Sequence, residues 1–248
     1  MILLFDIGNT HTHIGLANGR RVVKQTDIST SAWFEGRAAG LVRKFAGKKP
    51  IEGSVLCSVV PQATPRVRQV IRSIWKLDVS ELNAKTVRGV GVDYPKPASI
   101  GADRLANSAA ACRRFGAPVV VVDFGTAVTF DVVDGRRNYV GGIIAPGLAA
   151  MTNYLYEKTA LLPKLKIRDI DTAIGKSTEK AMLIGAVHGY RGLVRELIAE
   201  LKRELRVKKL PVVATGGYAK LIAAKLPEIS AVEPDLTLEG LRLVWQAK

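Results

Sequence analysis

Three aspartates of this sequence stand where side-chain chemistry is possible. Asp6-Ile7-Gly8-Asn9-Thr10 and Asp123-Phe124-Gly125-Thr126 each set a carboxylate at the end of an apolar run, with a glycine two residues on. Such a turn can aim backbone N–H groups at a phosphate, and the glycine lets the backbone approach closely. Mg-ATP is the ligand it suits. A single copy reads more readily as an Asx-type turn in which Asp6 and Asn9 satisfy neighbouring backbone groups. Two copies set opposite each other would make a phosphate clamp. The third aspartate lies in Gly101-Ala102-Asp103-Arg104, at the start of an expected helix and after an extended approach through Tyr94, Pro95 and Pro97. Asp103 there can simply favour the helix dipole, with Arg104 solvated. The chemical alternative has Asp103 accept a proton from a substrate hydroxyl while Arg104 binds an acidic group.

Thr215-Gly216-Gly217-Tyr218 follows an apolar strand and precedes a helix. Its small residues leave room for a flat ring such as adenine, or serve only a strand-to-helix turn that needs glycine. Two other phosphate motifs are excluded. Gly175-Lys176-Ser177 resembles the end of a P-loop, but Ile170 occupies the position of the required first glycine. Gly89-Val90-Gly91 has Tyr94 where a dinucleotide fingerprint needs its third glycine. His11 and His13 would share one side of a strand, yet no third ligand is evident for a metal. Cys57 and Cys112 lack any C-x-x-C spacing and read as ordinary core thiols.

The elements that must carry these residues show a repeat. Ile2 to Asp6 and Ile14 to Ala17 read as two strands around a tight turn, and Val119 to Asp123 with Val128 to Val133 repeat the pattern. Asn18-Gly19-Arg20-Arg21 then matches Asp134-Gly135-Arg136-Arg137 with a one-residue shift. The chain is therefore expected to be an internal duplication, with domains 1–116 and 117–248 and further strands at Ser54 to Val60 and Leu210 to Ala214. Helices are expected over 100–115 with Ser99 as N-cap, over 149–161, over 178–205 and over 219–225. Gly185, Gly189 and Gly192 in the longest would each cost about 1 kcal/mol relative to alanine, so close packing against another element is expected there.

With 248 residues, 48% of them hydrophobic, the chain is globular rather than disordered. Its apolar start meets Asp6 without a basic leader, and it has no apolar run near the roughly 20 residues of a membrane span, so a cytoplasmic protein with no membrane partner is expected. The net charge of +15 is dispersed rather than gathered in a tract or interleaved with aromatics, which argues against a nucleic-acid partner.

Together these residues resemble the acetate and sugar kinase, Hsp70 and actin superfamily, and within it type III pantothenate kinases. The first phosphate motif is similar to Asp6 through Gly15, the substrate motif to Tyr94 through Pro97 to Gly101-Ala102-Asp103-Arg104, and the second phosphate motif to Asp123 through Ala127. Gly141-Gly142-Ile143-Ile144-Ala145-Pro146-Gly147, Thr159-Ala160 with Leu162-Pro163, and Gly175-Lys176-Ser177-Thr178 follow in family order. The resemblance implies an α/β fold of two related ribonuclease-H-like domains with ATP in the cleft between them. It implies that Asp6, Ile7, Gly8, Asn9, Thr10, His11, Thr12 and His13 bind ATP phosphates, Asp6 through water-bound Mg²⁺, and that Thr126 also touches ATP. Asp103 would be the general base. Tyr94, Gly101, Ala102, Asp103, Arg104 and Thr178 would contact pantothenate, Asp123 would bind a monovalent cation, K⁺ or NH₄⁺, and the protein would be a homodimer. His11, His13 and Asn153 depart from the residues common in the family at those positions.

Overall fold

The computed structural model describes residues 1–247. Its elements run β1 Ile2–Ile7, β2 His11–Ala17, β3 Val22–Ser29, α1 Ala38–Ala46, β4 Gly53–Ser58, α2 Thr64–Trp75, β5 Val79–Glu81, β6 Gly91–Val92 and α3 Ala102–Phe115. They continue with β7 Val119–Phe124, β8 Ala127–Val133, β9 Asn138–Pro146, α4 Leu148–Lys158, α5 Thr178–Glu204, β10 Val212–Thr215, α6 Ala219–Ala223, β11 Ala231–Val232 and α7 Leu236–Gln246. Among the described residues no helix is long and apolar enough to cross a membrane.

One strand order occurs twice. The first sheet runs β3-β2-β1-β4-β5 and the second β9-β8-β7-β10-β11, with the short β6 beside β9. In both, the opening strand pairs antiparallel with the next and parallel with the fourth. Register locates the one-residue shift of the repeat: Asp6 faces His13 across Gly8-Asn9-Thr10, whereas Asp123 faces Thr129 across the shorter Gly125-Thr126.

The chain divides into two compact units, one of Met1–Gly116 with Arg137–Val140 and the residues from Asp235 onward, the other of Ala117–Arg136 with Gly141–Pro234. The first break falls at Gly116-Ala117. The last helix, which the sequence reading put in the second domain, groups with the first unit because its apolar face, Leu236, Leu238, Leu241 and Val244, is buried against α3 and against β1, β2 and β4. Gly240 permits this contact, since any Cβ there would collide with the Ala106 backbone.

Strand alternation sorts the core of the first unit. Leu3, Phe5 and Ile7 of β1 join Ile14, Leu16, Trp33, Val42, Phe45, Val67 and Ile71 in one cluster with α1 and α2. Ile2, Leu4 and Asp6 point the other way, toward the face that α3 and α7 cover; a Cβ on Gly15 would lie 3.2 Å from Leu238 and 3.4 Å from Leu4. In the second unit Val119 to Val122, Phe124, Phe130 and Tyr190 are buried, and Phe124 and Tyr190 lie 6.3 Å apart.

Two local expectations are corrected. Ser99 does not cap α3: its hydroxyl donates to the Lys96 carbonyl and closes the turn Pro97–Ser99, leaving Gly101 as N-cap. Gly185, Gly189 and Gly192 are exposed, and a Cβ on any of them meets nothing within 4 Å, so within the chain no close packing offsets their helix cost.

Candidate active site

In the first unit the fold brings two of the three aspartates to one end of the sheet. Alternation carries Asp6 to the α3 side near the end of β1, where its partner in the parallel ladder is Cys57 of β4. The Cys57 thiol is fully buried and donates to Asp6 Oδ1 at 3.3 Å. Burial above all, then the charges of Asp6 and Asp103 and this hydrogen bond, hold the thiol well above its ordinary pKa, so it stays protonated and remains a donor. Sequence reasoning took Cys57 for plain core. Its role becomes visible only once the register of β1 against β4 is known.

Asp103 sits in the first turn of α3. Its Oδ1 accepts the Arg104 backbone N–H at 2.9 Å, and a Cβ on Gly101 would come within 2.5 Å of that oxygen, so glycine is what admits the carboxylate. Burial raises the Asp103 pKa against two opposing effects of Arg104, its backbone hydrogen bond and its charge. The result is a carboxylate more basic than an ordinary aspartate. Arg104 and Tyr94 both reach the ring of Tyr139, a residue absent from the sequence-derived site.

The first Asp-x-Gly turn is supported from below. The Gly8 N–H donates to the His11 carbonyl at 3.0 Å, while the Thr30 hydroxyl donates to the Gly8 carbonyl at 2.7 Å. Asn9, Thr10 and His11 are exposed, whereas the side chains of Ile7 and Thr12 are fully buried. Thr12 Oγ1 accepts from Trp33 Nε1 at 3.0 Å and lies 3.1 Å from the Thr30 hydroxyl. These two side chains thus build the floor of the turn. His13 Nδ1 lies 2.6 Å from Asp27 Oδ1, an exposed pair across β2 and β3.

The second unit surrounds its own turn more tightly. Gly125 N–H donates to the Ala127 carbonyl at 3.1 Å, and Gly147 N–H donates to the Thr126 carbonyl at 3.1 Å. A Cβ on Gly147 would collide with the carbonyls of Gly125 and Thr126. Gly216, read from sequence as part of a ring site, has φ +89° and lies over Asp123; a Cβ there would be 2.5 Å from Asp123 Oδ1 and 2.7 Å from the Phe124 backbone. Glycine at 216 is what lets this backbone approach the carboxylate so closely. Thr126 is exposed, and so is Thr178, the first residue of α5, whose N-cap Ser177 accepts the Lys180 N–H at 3.3 Å.

The repeated sheet, with an Asp-x-Gly hairpin opening each half, defines the class: two ribonuclease-H-like domains of the actin-like ATPase and sugar kinase fold. Solved structures agree. A glucomannokinase of Arthrobacter sp. strain KM that uses inorganic polyphosphate or ATP superposes at TM-score 0.51 with 14% identity, covering 100% of this chain and 99% of that one. A protein of Campylobacter jejuni described as a conserved Baf family transcriptional activator gives TM-score 0.64 with 17% identity, over 99% and 98% of the two chains. The family follows from closer similarity. The family model for type III pantothenate kinase matches residues 2–200. A type III pantothenate kinase of Methylacidiphilum infernorum is 42% identical over 99% of this chain and 88% of its own, and one of Akkermansia muciniphila is 45% identical over 97% and 96%. The chain belongs to the type III pantothenate kinase family.

Proposed function

We propose that this chain transfers the γ-phosphoryl group of ATP to the primary hydroxyl of pantothenate, giving ADP and 4′-phosphopantothenate, the first step of coenzyme A biosynthesis. The observation that carries the reading is Asp103, a carboxylate made more basic by burial and set beside Arg104 at a helix start, in a chain of this family. As the hydroxyl oxygen forms its bond to phosphorus and the bond to ADP breaks, Asp103 accepts the hydroxyl proton. Arg104 and Tyr94 hold pantothenate at its carboxylate end, and Gly101, Ala102 and Thr178 complete its contacts.

The exposed residues Asn9, Thr10 and His11 at the tip of the turn suit ATP phosphates, as does Thr126. Among the described residues no three His, Cys, Asp or Glu side chains gather as a metal site. A single carboxylate fits Mg²⁺ here, because that ion keeps several waters and binds chiefly through one or two carboxylates and substrate phosphates. Mg²⁺ would neutralise charge on the transferring phosphate, and Asp6, fixed by the Cys57 thiol, would hold it through water. Asp123, its carboxylate closely approached by the Gly216 backbone, is suited to a monovalent cation, K⁺ or NH₄⁺.

A homodimer is part of this proposal. Tyr154 is 63% exposed and Leu161 91% exposed, on α4 and just after it, and α4 packs beside α5, whose exposed Gly185, Gly189 and Gly192 recur at helical spacing. Such a glycine face lets a second backbone come close, which would compensate the cost that the chain alone leaves unpaid. We place the enzyme in the cytoplasm with its two small-molecule substrates. The test is detection of 4′-phosphopantothenate after incubation with ATP, Mg²⁺ and pantothenate, in K⁺ or in Na⁺. Product that depends on K⁺ is expected. A folded protein that binds ATP and forms none would refute the assignment.

A further inference from the structure

We infer that Tyr139 is a positioning residue for the substrate, holding Arg104 and Tyr94 in the arrangement that receives pantothenate. It rests on the assignment of those two side chains to pantothenate. Residues 137–140 lie far along the chain from the substrate motif, yet the structure groups them with the first unit. They are tied to the segment that leads into that motif: Gly91 and Val92 pair with Asn138 and Tyr139. The Gly91 N–H donates to the Arg137 carbonyl at 2.8 Å and the Asp93 N–H to the Tyr139 carbonyl at 3.0 Å.

The side chains repeat this link. Tyr139 is 1% exposed. The Arg104 guanidinium carbon lies 5.7 Å from its ring centroid, and Tyr94 meets the same ring edge-on at 6.0 Å and 66°. Arginine on its flexible stem loses rotamer freedom when it binds a carboxylate. An aromatic face that already holds the guanidinium removes much of that cost, because the ring quadrupole attracts a cation most strongly where water is excluded. Tyr94, fixed at its backbone neighbour and at its ring, is held by the same residue. Tyr139 therefore acts through the two residues that touch substrate and does not need to touch it.

The test measures KM and kcat for both substrates in Tyr139→Leu, Tyr139→Phe, Arg104→Gln and the double variant Arg104→Gln/Tyr139→Leu, with a thermal melt of each. Tyr139→Leu is expected to raise the pantothenate KM about tenfold and to leave the ATP KM and kcat within about twofold, while Tyr139→Phe, which keeps the ring, stays within about twofold throughout. In the Arg104→Gln background, Tyr139→Leu should raise the pantothenate KM by less than its own factor, since only Tyr94 is then left for it to hold. A folded Tyr139→Leu enzyme with native pantothenate KM, or one whose effect multiplies fully with that of Arg104→Gln, would overturn the inference. An Arg104→Gln enzyme with native pantothenate KM would instead remove the assignment of Arg104 on which it stands. Tyr139→Met applies the same test should Tyr139→Leu fail to fold.

Discussion

The two Asp-x-Gly hairpins share one pattern and differ in how the chain supports them. Around Asp6 the turn Gly8-Asn9-Thr10 is one residue longer, its tip is exposed, and its support comes from beneath through Thr12, Thr30 and Trp33. Around Asp123 the turn is shorter and the glycines of two other segments, Gly147 and Gly216, press on it. A turn with an open tip can close on a ligand of many oxygens. A turn hemmed in by backbone keeps a fixed geometry around one small ion. This difference is the reason for proposing phosphate binding at the first and a monovalent cation at the second.

Each hairpin has a substitution that tests its assigned environment. At the first hairpin Asp6→Ala should lower kcat/KM about 10²- to 10³-fold with a folded protein, as expected when a charge that stabilises the transition state is removed. Titration of Mg²⁺ in a steady-state assay checks it, and a native response to Mg²⁺ would detach Asp6 from the metal. At the second hairpin the largest effect should be on stability. Gly216→Ala places a Cβ against backbone at a positive φ, which costs about 2 kcal/mol or more, whereas Gly125→Ala would meet its first neighbour at an ordinary 3.5 Å. Thermal melting should therefore separate the two glycines by at least about 4 °C. Equal melting temperatures would mean that Asp123 is not confined as described.

A smaller and opposite effect belongs to Asp103. Its raised pKa means that the folded protein binds this proton more tightly than the unfolded chain does. Ionisation then costs nothing below the ordinary value of 3.8, and the cost grows as pH rises through the raised pKa. Asp103→Asn should accordingly melt a few degrees higher than the native protein at neutral pH, with the gap closing as the solution is acidified below about pH 4. A gap that widens with acid would reverse the sign assigned to burial.

Much of this was legible in the sequence, for reasons that differ by residue. The hairpin repeat showed because Asp-x-Gly and the apolar runs beside it are local patterns, and the topology repeats as they do. The long helix was legible from leucines at helical spacing, and α5 ends within a residue of the expected position. What stayed hidden depends on contacts between distant segments. Helix α7 follows the second copy in sequence yet packs on the first sheet, and nothing in Leu236 to Gln246 says which sheet its apolar face will meet. Cys57 and Tyr139 carry no motif; ladder register in one case and the β6–β9 pairing in the other bring them to the site. Ile7 and Thr12 fell within a motif read as one block, but strand alternation turns their side chains into the core.

The most direct measurement of the central claim is pantothenate-dependent ADP formation by the native protein and by Asp103→Asn, followed across pH. The variant is expected to lose about 10²- to 10⁴-fold in kcat without loss of ATP binding. In the native enzyme kcat/KM should fall on the acid side at a pH above the ordinary aspartate value of 3.8, because burial raises the pKa of Asp103. An Asp103→Asn enzyme that turns over pantothenate at the native rate would contradict the account.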